Sequence, residues 1–138
     1  MAEREHRMFV YGSLLPGQSN HAVAAGHIRQ AVPGVVHGRL VDCGAYPALV
    51  RDGLAQAQGA HVRGLWITVG DRGLRAMDAL EEYEGAEEVN DYARVWTADA
   101  EFPDRAGWVY VWEGPRDRPA IRETYWPDYT ARKRMDRA

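Results

Sequence analysis

The chain has 138 residues, is 46% hydrophobic and 27% charged, and carries a formal net charge of −3. That size fits one domain with one core, and the composition argues against gross disorder and against general nucleic-acid binding. No stretch reaches the ~18 consecutive apolar residues of a membrane span, and the single cysteine, Cys43, excludes an intrachain disulfide or a cysteine-clustered metal site.

Residues 1–6 read as a polar, flexible leader and not as a secretory signal, so a cytoplasmic protein is expected. Sixteen Arg against one Lys, with many Ala and Gly, point to a GC-rich bacterial genome. Arg7 to Tyr11 is a short apolar strand that stops at the breakers of Gly12-Ser-Leu-Leu-Pro-Gly17. Asn20 caps a predicted short helix running to about Arg29, and Pro33-Gly34 resets the chain. Further strands are predicted over Val35–Asp42, Ala48–Arg51, Ala60–Val69, Tyr92–Ala98 and Gly107–Glu113. The clearest helix runs from about Asp71 to Tyr83, with Asp71 as N-cap and Gly85 as the C′ residue. A last helix is expected over Ala120 to about Arg134, broken or kinked at Pro127. Strands cluster and do not alternate with helices, which predicts an α+β fold with an antiparallel or mixed sheet, barrel-like, in one domain over 1–138.

The 71–83 helix carries an anomaly. With Leu74 at 0° and ~100° per residue, the apolar stripe centres near 300°, through Met77 and Leu80. Glu81 falls near 340°, inside that stripe, while Glu82 falls near 80°, on the solvent side, and Asp78 near 40°, on the border. A carboxylate turned toward the protein must be paired or have a raised pKa, and a raised pKa is what a general acid/base at neutral pH requires. Snorkelling to the stripe's edge, or pairing with an Arg, is the plainer reading of the position from helix geometry alone. Glu84 competes on the same argument from the end of the helix. Seven acids lie in residues 78–91, but without the ligand spacing of a magnesium or calcium loop they read as a solvated face.

The turn Tyr11-Gly12-Ser13-Leu14-Leu15 can aim several backbone N–H groups in one direction, a nest for a carboxylate or another anion. It has neither the P-loop ending nor a dinucleotide fingerprint. Ser13 lacks the elbow of a serine nucleophile, and Cys43 reads as a small packed residue. The five His have no metal-binding spacing. Tyr46, Trp66, Trp96, Trp108, Tyr110 and Trp112 read as core or pocket lining, and the basic tail around Arg132–Arg137 as a solvated end.

These features occur together in a known order. Tyr11-Gly-Ser-Leu14 follows the first strand, and Gly38-Arg-Leu-Val-Asp42 leads to Tyr46-Pro47. Val62-Arg-Gly-Leu-Trp66, Met77-Asp-Ala-Leu-Glu81, Tyr92-Ala-Arg94 and Trp108-Val-Tyr110 come next. In this arrangement, over about residues 8–130, the chain resembles the gamma-glutamylcyclotransferase-like superfamily. The resemblance implies a small mixed-sheet, barrel-like fold with a few flanking helices. It implies substrate binding at Tyr11, Gly12, Ser13, Leu14 and Leu15, with Tyr92 lining the site, and Glu81 as the catalytic acid/base. The reaction implied is an intramolecular aminolysis of a γ-glutamyl amine or γ-glutamyl amino acid that releases 5-oxoproline and the free amine, an acyltransferase or lyase activity. It requires no cofactor and no metal. The partner is a small γ-glutamyl substrate, with no nucleic acid and no membrane, and the protein is a monomer or homodimer. Two departures stand out. Glu82 replaces the Gly that often follows the catalytic Glu, leaving Glu82 or Glu84 open as the base, and Ala93 interrupts the usual Tyr-Arg-Arg. A non-catalytic glutamyl-binding protein and a γ-glutamyl hydrolase remain as alternatives.

Overall fold

In chain order the elements are β1 (His6–Val10), α1 (His21–Ala25), β2 (Gln30–His37), β3 (Arg39–Asp42), β4 (Pro47–Val50), α2 (Gly53–Gln58), β5 (His61–Val69), α3 (Asp71–Tyr83), β6 (Ala93–Ala98), β7 (Ala106–Val111), β8 (Ala120–Ile121) and α4 (Trp126–Asp136). They are taken from a computed structural model that describes residues 4–18, 20–83 and 92–136, with backbone alone for 80–83 and 136. A five-stranded sheet has the order β2-β5-β1-β7-β6, and a three-stranded sheet the order β4-β3-β8. The central strand β1 runs antiparallel to β5 and parallel to β7. β4 of the smaller sheet meets β7 of the larger, where Val50 bridges Trp112 and the Trp112 amide donates to Leu49 O at 3.0 Å. The two sheets curl toward each other there without closing, so the architecture is α+β with a mixed sheet and not a complete barrel.

Alternation along the strands gives the larger sheet two buried faces. Met8, Val10, Ile67, Val69 and Tyr110 face α1 and α3, joined by Met77 of α3 and by Leu14 and Leu15. Phe9, Tyr11, Val62, Trp66, Val109 and Val111 face the smaller sheet and α4, packing with Leu40, Leu49, Trp126 and Tyr129. Completely burying one such large apolar side chain contributes ~1.5–3 kcal/mol, so both faces anchor the sheet.

Several expected boundaries move for identifiable reasons. Pro33-Gly34 does not reset the chain but lies inside β2; β2 is an edge strand, where a missing N–H costs no ladder bond. The single strand expected over Val35–Asp42 is two, divided at Gly38, whose φ of 146° the regular ladder does not accommodate. α2 has no apolar periodicity to mark it; the Asp52 carboxylate caps it by accepting from Ala55 N, and Gly59 ends it in the left-handed region. Helix α1 stops at Ala25, short of Arg29. Asp71 begins α3 as a helical residue, and its carboxylate receives His6 Nε2 at 2.6 Å. The last expected helix splits into β8 and α4, and Pro127 falls in the first turn of α4, where a proline needs no hydrogen-bond partner and causes no break. Gly85 lies outside the described residues. Among the described residues, no helix is long and apolar enough to cross a membrane.

Candidate functional site

A small pocket, open at its mouth, lies where the parallel strands β1 and β7 end and the chain leaves the sheet. The turn Tyr11–Leu14 forms one side, Tyr46 and Pro47 a second, and Tyr92 with Tyr110 a third.

The turn is tied down internally. Leu15 N donates to Gly12 O at 3.0 Å, and Asn20 N to Ser13 O at 2.8 Å. Asn20 does not cap α1 with its side chain, as the sequence suggested; its Nδ2 donates instead to Ser13 Oγ at 3.0 Å. His21 Nδ1 donates to Leu14 O at 2.9 Å. These bonds use the carbonyls of the turn and leave the amide hydrogens of Ser13 and Leu14 without an acceptor among the described residues. Gly12 is required by packing, since a Cβ there would stand 2.6 Å from Cδ of Pro47. The pocket wall and the turn are therefore in direct contact.

The structure brings Tyr11, Gly12, Ser13, Leu14 and Tyr92 of the expected set to this one pocket. Leu15 departs from the set. It is completely buried in the core beneath α1 and α3, and its amide is committed to Gly12 O, so it offers the pocket no donor. The Tyr11 hydroxyl is a structural bridge: it donates to Tyr110 O at 2.7 Å and accepts from Leu49 N at 3.1 Å, joining β7 to β4. The Tyr92 hydroxyl donates to Pro47 O at 2.8 Å, linking two walls. The backbone at Glu81 lies in the last turn of α3, but its side chain, like that of Glu82, lies outside the described residues, as does Glu84 entirely.

Sequence reasoning left Asp78 on the border of the helix, read Tyr110 as core or pocket lining and named Arg94 within a motif, without pairing any of them. The structure joins all three. The hydroxyl of Tyr110, a residue of the pocket wall, donates to Asp78 Oδ1 at 2.5 Å, and Arg94 donates to Asp78 Oδ2 at 2.6 Å. Arg94 also lies over the ring of Trp108, 5.0 Å from its centroid. The available signal was the spacing of Asp78 and Glu81, three residues apart on one helix face; their strand partners require the β6–β7 register, which pairs Arg94 with Tyr110.

The opposite wall has a similar support. Buried Asp42 ends β3 just before the turn to Tyr46 and Pro47, and it accepts from Gly44 N at 2.7 Å, Tyr129 OH at 2.5 Å and Lys133 Nζ at 2.8 Å. The tail is therefore not simply solvated: Lys133 clamps the hairpin, and Arg132 pairs with Glu123. Burial alone would push Asp42 up, but the bonds from Lys133, Tyr129 and Gly44 outweigh it and hold its pKa below the ordinary carboxylate value. Burial, then the Asp42 charge, push the Tyr129 hydroxyl up to about 12. Cys43 is half-buried. Among the described residues no three His, Cys, Asp or Glu side chains gather as a metal site.

A small aromatic-walled pocket whose lining turn has two uncommitted amides among the described residues, on a mixed α+β fold, suits a small molecule with an anionic or carbonyl oxygen. The comparisons narrow that class. Residues 8–128 match the family model described as gamma-glutamyl cyclotransferase, AIG2-like, and the chain belongs to that family. A curated relative, the gamma-L-glutamyl-butirosin B gamma-glutamyl cyclotransferase of Niallia circulans, is 30% identical over 125 residues, covering 88% of this chain and 74% of its own length. The fold is similar to that of YkqA from Bacillus subtilis (TM-score 0.73, 15% identity), covering 96% of this chain but only 43% of YkqA. It is also similar to an AIG2-like protein from Mus musculus (TM-score 0.56, 24% identity), covering 92% of this chain and 83% of that one. Family and relative together support cyclotransferase activity.

Proposed function

We propose that this chain is a γ-glutamyl cyclotransferase that converts a γ-glutamyl amine, or a γ-glutamyl amino acid, into 5-oxoproline and the free amine. The observation that carries the reading is the pocket at Tyr11–Leu14. It offers two amide donors, those of Ser13 and Leu14, and is walled partly by Tyr110, which is bonded to the helix that bears Glu81.

The reaction closes a ring, so nucleophile and electrophile belong to one molecule and the protein's main task is to hold a reactive conformer. The Ser13 and Leu14 amides bind an oxygen of the glutamyl group, either the α-carboxylate or the γ-carbonyl oxygen on which charge develops. Glu81 takes a proton from the α-ammonium. The freed amine attacks the γ-carbonyl carbon, and Glu81 passes its proton to the leaving nitrogen as that C–N bond breaks; the ring nitrogen then gives up its second proton through Glu81 to the departing amine, which leaves as an ammonium ion. No water is consumed, and the carboxylate ends as it began.

The test is product analysis by mass spectrometry on a panel of γ-glutamyl amines and γ-glutamyl dipeptides. Wild type is expected to release 5-oxoproline, and Glu81→Gln to lose ~10²–10⁴-fold in kcat while Glu82→Gln remains active. Free glutamate as the product would replace this reading with a hydrolase. Loss with Glu82→Gln alone would move the base by one residue. Ligand binding without turnover across the panel would make the protein a glutamyl-binding module.

A further inference from the structure

We propose that Asp78 is a positioning residue for the reaction. Held by Tyr110 and Arg94, it fixes the last turn of α3 against the pocket and thereby sets where Glu81 works. The inference rests on the reading of Glu81 as the base.

The geometry is a three-point clamp. Asp78 is one helical turn before position 81, about 4.5 Å along the axis from the 1.5 Å rise per residue. Its two carboxylate oxygens are held from two different strands, Oδ1 by Tyr110 of β7 and Oδ2 by Arg94 of β6. Arg94 and Tyr110 are directly opposed in the β6–β7 ladder, so the two donors form a single rigid platform. Stacking on Trp108 fixes Arg94 in turn. Met77, completely buried, seats the neighbouring face of the helix in the core. An apolar contact of this kind resists lifting of the helix more than rotation about its axis. Two directional bonds to one carboxylate resist that rotation.

The pairing also explains an otherwise costly choice. Asp78 and Arg94 are about one-third exposed, and ion pairs at such positions contribute little to stability, ~0–1 kcal/mol. The bond from Tyr110 makes the arrangement specific: it joins a residue of the pocket wall to the helix one turn from the base. Displacing a reacting group by 1 Å can cost ~10²-fold in rate, so a clamp worth little in stability can be worth much in turnover.

The experiment is a double-mutant cycle on the purified full chain, using the best γ-glutamyl substrate of the panel, with amide hydrogen exchange over α3 as a readout that needs no substrate. Asp78→Asn is expected to lower kcat ~10²-fold with KM within about threefold, and to speed exchange at residues 78–83 while the Tm moves by only a few degrees. Arg94→Gln, which leaves Asp78 and the pocket lining in place, is expected to do the same at about a tenth of the size. In a Glu81→Gln background, Asp78→Asn should change the residual rate by less than about twofold, since it acts through that residue. The proposal is overturned if Asp78→Asn keeps wild-type kcat while Glu81→Gln does not, if the two losses multiply, or if exchange over 78–83 is unchanged. Full activity in Glu81→Gln would instead overturn the base assignment, and the positioning role with it.

Discussion

Asp42→Asn tests whether the C-terminal helix supports the pocket wall. The amide keeps the shape and one acceptor oxygen for Gly44 N, but it removes the charge that Tyr129 and Lys133 address. A hydrogen bond to a charged group contributes ~1.5–3 kcal/mol. The Tyr129 bond is buried and counts in full, while the Lys133 side chain is 33% exposed, so water recovers part of that pair. The expected loss is ~2–4 kcal/mol, or a fall in Tm of about 6–15 °C for a chain of this size. The pH dependence has a definite sign. Because the folded state depresses the Asp42 pKa, its stabilisation is present above the unfolded value near ~3.9 and is lost as pH falls through the lower folded value. Thermal melts of wild type and Asp42→Asn between pH 7 and pH 2 should therefore differ most at neutral pH and converge in acid. A gap below about 2 °C at pH 7, or one that stays constant into acid, would refute the reasoning.

Two further substitutions separate site from scaffold. Gly12→Ala places a Cβ 2.6 Å from Pro47 Cδ, so the turn and the opposite wall must part; turnover is expected to fall ~10-fold or more with a raised KM, while far-ultraviolet circular dichroism keeps its native form. Tyr11→Phe removes the bridge between Leu49 N and Tyr110 O and takes from the buried Leu49 amide its hydroxyl acceptor, costing ~1–3 kcal/mol in urea melts, while kcat measured well below the transition stays within a few-fold of wild type.

Much of the fold was legible locally. Asp71–Tyr83 is helical over the span expected from its end signals, and Leu74 and Met77 repeat at the helical period because both pack into the core. β1 and β5 were legible because apolar runs end at breakers. The Gly12-Ser13 turn could be read as a nest because glycine and serine at a strand end favour exposed amides. α2 was hidden because its signal lies in its Asp52 and Gly59 caps and not in an apolar stripe.

The sequence by itself carried the types of most elements and the family resemblance, and it singled out Glu81 as a carboxylate within an apolar stripe, since each depends on neighbours along the chain. Tertiary structure alone decided that Leu15 turns into the core, that the Tyr11 hydroxyl is structural, that Lys133 reaches Asp42 across 91 residues, and that Asp78 meets both Arg94 and Tyr110. Each of these depends on strand register or on how a helix crosses a sheet. A one-residue slip in register reverses every side chain of a strand, and no local property of the sequence states that register.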